Sequence, residues 1–219
     1  MSDLISGKTM FQTFSNAFTH DHRKFQDDNL FYKDVPRDLF ELINLFSGVS
    51  FNHGLYRIHS FRSSSRWATI IGNYFKNYNH IIFPFSFDWT GRQYCLSKLN
   101  NKLLFMFDPS TGDDFTLEQD IVSFHNIDLV SDTLSILSSD IFENILAWHK
   151  YNSIGYNEIL GYKMPLFLGG ADSIDNYQKF DMEVYWEIYG QLYIQTKGMS
   201  DGTVIDSIKI IDPKNPDEA

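Results

Sequence analysis

The stretch RQYCLSKLNNKLLFMFD, Arg92 to Asp108, decides the fold. Two runs of strand-forming residues flank Asn100-Asn101, and asparagine tolerates the positive φ that a tight hairpin demands. The segment reads as an antiparallel hairpin. Just upstream, HIIFPFSFDW (80–89) reads as another strand, with Pro84 marking an edge or a bulge, because proline donates no ladder hydrogen bond. Between the two lies DWTGR (88–92), a compact turn. Asp88 is suited to accept backbone amides across it, Trp89 to cover the core and Gly91 to supply positive φ before Arg92.

Further out, helical and strand patterns mix without a strict βαβ rhythm. SSSRWATIIGNYFKN (63–77) reads as a helix capped by one of Ser63 to Ser65, with Trp67, Ile70, Ile71 and Tyr74 inward. GLYRIHS (54–60) reads as a strand. DVPRDLFELINLFSG (34–48) reads as a helix, with Pro36 in its first turn, a stripe of Leu39, Leu42, Ile43 and Phe46, and Gly48 at its end. Downstream, PSTGDDF (109–115) is a turn, and 129–150 is helical with a break expected near its serines. EILGYKMPLFLGG (158–170) is extended and ends in Gly169 and Gly170, where positive φ is expected. A helix follows, capped by Asp181 and ending near Lys197-Gly198, with Val184, Ile188 and Leu192 repeating every four residues. TVIDSIKIID (203–212) reads as a last strand and 213–219 as a frayed tail. The class is α+β: a mainly antiparallel sheet flanked by helices, as one globular unit or two closely packed subdomains.

The chain has 219 residues, 43% hydrophobic and 16% aromatic, ample for a packed core. Its formal net charge of -10 disfavours nucleic acid and anionic membranes as direct partners. The single cysteine, Cys95, excludes an internal disulfide and fits a reducing compartment. The N-terminal residues lack a secretory pattern, and no stretch has the length of a membrane span, so a cytoplasmic location is expected. Charge is unevenly spread. No acid lies between Glu41 and Asp88, whereas Asp108 to Asp120 and Asp172 to Glu187 each hold five.

Catalytic patterns are weak. The seven histidines are scattered, and no HExxH, CxxC or calcium loop occurs, so no metal or cofactor is expected. There is no GxSxG, and Cys95 inside a strand reads as a buried thiol. Asp181 and Glu183 are two apart, which on a helix does not pair them. Two arginines beside a serine-rich helix start are the better phosphate candidate, so Arg57, Arg62 and Arg66 suggest an alternative small-ligand or nucleotide-binding module. A hydrolase using Asp and Glu is a further alternative.

GLYRIHS, FDWTGRQYCL, LLFMFDPSTGD, FHN and GYKMPLFLGGADSIDNYQKFDMEVYWEIYGQL (161–192), in that order, resemble the C-terminal domain of Tdi-type immunity proteins of type VI secretion. DVPRDLFELINLFSGVSFNHGLYRI resembles the GAD-like module that often precedes it. The resemblance implies a GAD-like module over 1–75 and an immunity domain over 76–212. It implies a non-enzymatic protein that binds and silences a toxin, a DNase in the best-known members, inside toxin-carrying cells. An acidic inhibitor suits a basic nuclease. Asp172, Asp175, Asp181, Glu183, Asp113 and Asp114 are the carboxylates expected at the toxin. The competing reading makes the long closing motif a folding signature of the family.

Overall fold

The computed structural model describes residues 9–23, 35–200, 202–205 and 207–211; the tail 213–219 lies outside them. Helix α1 (Gln12–Ala17) and strand β1 (His20–Arg23) precede α2 (Arg37–Phe46), β2 (Val49–Phe51) and β3 (Tyr56–Ile58). Helix α3 (Phe61–Tyr74) leads to β4 (Ile82–Asp88), β5 (Gln93–Ser97), β6 (Leu104–Phe107) and β7 (Asp114–Leu117). These strands form one seven-stranded sheet in the order β1 to β7, every neighbouring pair antiparallel. The sheet runs through the expected boundary at 75/76, because β3 pairs directly with β4.

A helical layer follows: α4 (Ile121–Ser123), a π turn (Phe124–Asp128), α5 (Leu129–Ser131), α6 (Thr133–Leu137) and α7 (Ser139–His149). The break near the serines falls at Ser138, which takes φ +50°. Then β8 (Glu158–Tyr162) and β9 (Tyr177–Asp181) make a separate hairpin before α8 (Met182–Thr196).

Strand alternation sends side chains to two cores. Tyr56, Phe85, Tyr94 and Leu104 pack with α1, α2 and the helical layer on one face. Phe87, Cys95, Phe105 and Phe107 pack with Trp67 of α3 and Tyr185, Trp186 and Tyr189 of α8 on the other. Pro84 sits at a bulge inside a central strand: Pro84 pairs with Cys95 and Ser86 with Tyr94, leaving Phe85 unpaired. The extra residue puts Phe85 and Ser86 on the same side, where the Tyr56 hydroxyl and Ser86 Oγ hydrogen-bond at 2.6 Å.

Several local expectations change. The cap of α3 is Ser60, whose Oγ accepts from Ser63 N at 3.0 Å while Ser63 Oγ accepts from Ser60 N at 2.9 Å, a reciprocal capping box. Pro36 is the residue before α2 rather than inside its first turn. The β5–β6 connection is longer than two residues, since strand pairing ends at Leu96–Leu104, and Asn100 accepts from Lys102 N at 3.0 Å instead of adopting positive φ. The buried stripe of α8 is Met182, Tyr185, Trp186 and Tyr189, with Val184 exposed. Among the described residues, 203–211 form no strand. Gln191 and Gln195 on α8 bond instead to the backbone of Ile211 and Lys209, so side-chain amides take the place of a neighbouring strand.

Candidate interaction surface

The DWTGR turn anchors the site. Asp88 is fully buried, and its Oδ1 accepts from Thr90 N (3.0 Å), Thr90 Oγ1 (2.7 Å) and Arg92 N (3.1 Å). Its Oδ2 accepts from Arg92 Nε at 2.5 Å and from the Tyr94 hydroxyl at 3.2 Å. Gly91 takes φ +89°. The turn reaches outward through two donors and one acceptor: Trp89 Nε1 donates to Leu137 O (2.6 Å), Arg92 donates to Ile136 O (3.0 Å), and Gly91 O accepts from Trp186 Nε1 (2.8 Å). One short sequence therefore joins the sheet to the helical layer and to α8.

Against this turn lies a cavity of about 110 Å³. Its walls come from the turn after β4 (Arg92), the turn after β6 (Asp108, Ser110), the start of α7 (Ser138, Ile141) and the β8–β9 region (Tyr162, Asp172, Tyr177). The Tyr162 and Tyr177 rings lie 4.2 Å apart, tilted by 37°; the Tyr177 hydroxyl bonds that of Tyr162, which donates to Asp172 Oδ1 at 2.7 Å, and the Tyr177 hydroxyl lies 3.3 Å from the same oxygen. Asp108 Oδ1 accepts from Ser110 N (2.8 Å) and Ser110 Oγ (2.6 Å). Burial pushes the Asp108 carboxyl up, opposed by those bonds and by the Arg92 charge. Burial likewise raises both tyrosines, so their hydroxyls stay protonated donors. The one guanidinium in the lining, that of Arg92, is already paired with the buried Asp88, so Asp108 and Asp172 are the carboxylates that face the pocket.

The glycine step that carries Asp172 is built by two different constraints. Gly169 takes φ +82°, and a Cβ there would meet nothing within 4 Å. Gly170 does not share the expected positive φ. A Cβ on it would lie 2.0 Å from Met164 O, so close backbone approach requires the glycine. Asn176 closes the loop, donating to Met164 O (2.9 Å) and Ala171 O (2.8 Å).

The six expected carboxylates do not form one cluster. Asp172 is in the pocket. Asp175 is exposed nearby, its carbonyl accepting from Lys163 Nζ at 2.6 Å. Asp181 and Glu183 lie at the other end of the β8–β9 hairpin. Asp181 Oδ1 accepts from Glu183 N (3.0 Å) and Val184 N (3.1 Å), the N-cap of α8. Glu183 accepts both Arg66 N–H groups, one of them at 2.6 Å, and so ties α8 to α3. Asp113 is exposed beyond β6, and Asp114 accepts from the Tyr78 hydroxyl.

The arginines do not assemble a phosphate site. Arg57 is fully buried, with its guanidinium donating to Gly155 O (3.2 Å), Tyr156 O (3.2 Å), Glu158 O and Asp88 O (2.8 Å), above the Phe87 ring. Burial lowers its pKa to about 10, against the pull of Asp88. It clips the 155–158 loop to the sheet and is out of a ligand's reach. Arg66 is paired with Glu183, and Arg62 is exposed. The FHN residues are also structural. His125 donates from Nδ1 to Ile121 O (2.7 Å) and its Nε2 meets the Tyr56 hydroxyl (3.0 Å), while Asn126 accepts from Phe14 N and donates to Met10 O, pinning α1 to the π turn. Among the described residues no group of three His, Cys, Asp or Glu is placed to hold a metal, and no helix is long and apolar enough to cross a membrane.

Residue-by-residue reading missed Asp108, Tyr162 and Tyr177 as pocket members. A signal was present. From residue 103 to 149 there are nine Asp or Glu and no Lys or Arg, so the acidic run continues well past Asp120 into the helical layer.

The fold has a counterpart: the crystal structure of Atu4351 from Agrobacterium tumefaciens aligns with TM-score 0.60 at 10% sequence identity, covering 83% of this chain and 88% of that one. Residues 131–193 match the family described as T6SS immunity protein Tdi1, C-terminal, which supports a Tdi-type immunity relationship. That match covers α6, α7, the β8–β9 hairpin and most of α8, and it lies outside the region of the GAD-like resemblance. No curated protein matches the chain.

Proposed function

We propose that this protein is an immunity protein that binds a cognate antibacterial toxin of a type VI secretion system and silences it by covering its active or substrate-binding surface. The observation that carries this reading is the family match over 131–193. Proteins of that kind generally act by binding rather than turnover. The toxin is a basic nuclease in this reading: a nuclease needs positive charge where it grips phosphates, and a chain of net charge -10 complements it. The toxin acts, and is met, in the cytoplasm.

Co-expression tests the reading. Cells producing the toxin encoded beside this chain should survive when the chain is co-produced and die without it, and the two purified proteins should co-elute. Unrelieved killing, with both proteins folded and present, would refute it. Incubating the pure chain with DNA, nucleotides and divalent metals should give only background turnover; turnover that disappears with a single Asp or Glu substitution would favour an enzyme.

A further inference from the structure

We propose that the outer face of α7, carrying Ile141 and Trp148, and the anionic pocket that opens beside Ile141 form one docking surface for a basic protein, and that a single arginine of that partner enters the pocket. The identification of the partner as the toxin rests on the immunity reading above; the surface itself rests on the following geometry.

Trp148 is 63% exposed, whereas Trp67, Trp89 and Trp186 are at most 4% exposed. The core has taken in three tryptophans and left this one in water. Ile141 lies seven residues earlier on the same helix, two turns away on the same face, and is itself 37% exposed. Leu134 on the preceding helix is 63% exposed. Large apolar side chains left out in this way mark contact surfaces, and tryptophan is the residue most enriched where binding energy concentrates.

The charge around them selects the partner. Asp140 and Glu143 lie on the exposed side of α7. The acid-rich segment without Lys or Arg ends only at Lys150, the residue after α7. Ile141 is also a wall of the 110 Å³ cavity, so the apolar face runs into the anionic pocket. A water occupies about 30 Å³ in the liquid, so this volume holds three or four waters or one side-chain head of four heavy atoms. Its lining offers carboxylates at Asp108 and Asp172 and the rings of Tyr162 and Tyr177. A guanidinium uses both features at once, pairing with carboxylate and stacking on aromatic rings, whereas an ammonium is a compact point charge. Asp181 and Glu183 do not contribute, since one caps α8 and the other holds Arg66.

Acrylamide quenching of tryptophan fluorescence reads this surface directly, because only Trp148 is accessible. In the free protein, Trp148→Phe should remove most of the quenchable emission. Adding the toxin that the chain protects against should drop wild-type quenching to the level of Trp148→Phe. Trp148→Ala and Ile141→Ser, checked by circular dichroism for an intact fold, should each weaken the complex about tenfold or more. Asp172→Asn should weaken it several-fold and flatten its salt dependence. Wild-type affinity in both α7 variants, with Trp148 still quenchable in the complex, would overturn the proposal. If no toxin forms a complex, the immunity reading fails, and the surface is then judged with a nona-arginine peptide at low salt. Protection of Trp148 that weakens in Asp172→Asn supports the surface; undiminished quenching overturns it.

Discussion

At one end of the β8–β9 hairpin, Asp181 and Glu183 turn to partners within the chain: the backbone amides of α8 and the guanidinium of Arg66. At the other end, about 14 Å away at strand spacing, Asp172 lines a cavity and receives only two tyrosine hydroxyls. Both ends are equally acidic in sequence. The first holds a helix and a helix pair in place, and the second leaves charge facing a cavity. Local acid density therefore does not reveal whether carboxylates serve the fold or face outward. The positions of donors from distant segments decide it.

The sharpest way to break this comparison is at the most committed carboxylate. Asp88→Ala strands the partly buried Arg92 and should destabilise the protein by roughly 3–5 kcal/mol, whereas Asp172→Asn should change stability by less than about 1 kcal/mol, since an asparagine still accepts from the tyrosines. Denaturant unfolding of both variants measures the gap. Equal losses would place Asp172 among the fold's own supports.

Acidification separates the two kinds of site differently. His59 and His125 are buried and bonded as neutral rings, with Gln93 and Ser63 around the first and Tyr56 and the Ile121 carbonyl around the second. Burial lowers their pKa values from 6.5 to about 3 and about 4. The unfolded chain therefore binds more protons below pH 6.5. Their contribution is complete above that pH and falls as pH drops towards 4 and 3, by roughly 2 kcal/mol per histidine at pH 5. A flat stability profile between pH 7 and 5 would contradict the neutral buried state.

The glycine step sharpens the comparison on the pocket side. Gly170→Ala should cost roughly 1–3 kcal/mol because its methyl group meets the Met164 carbonyl. Gly169→Ala should cost about 1 kcal/mol, from positive φ alone. Thermal unfolding that reverses this order would show that the loop relaxes around residue 170.

The smallest effects belong to the α8 end. Asp181→Ala should lose about 1 kcal/mol of capping, and Glu183→Gln less than 1 kcal/mol at a solvent-exposed pair. Neither should alter the affinity for the toxin. Calorimetric titration of each variant checks this, and a tenfold weakening in either would move the docking surface to that end.

Much of the fold was open to reading because its signals are local. The stripe of α2, the break near Ser138, the Asp181 cap, the Gly91 turn and the strands on either side of DWTGR each depend on residues within a few positions of one another. Strand β7 escaped, lying exposed in a stretch that reads as a turn. The last strand failed because its backbone pairs with glutamines on a helix, an arrangement that no strand propensity encodes. The site was legible only in part. Composition alone determined that this chain is acidic, cysteine-poor and rich enough in aromatics to build two cores. Only the tertiary structure decided which carboxylates remain available, because Asp108, Asp172, Tyr162, Tyr177 and Ile141 come from three separate segments and meet only after the sheet, the helical layer and the hairpin have packed together.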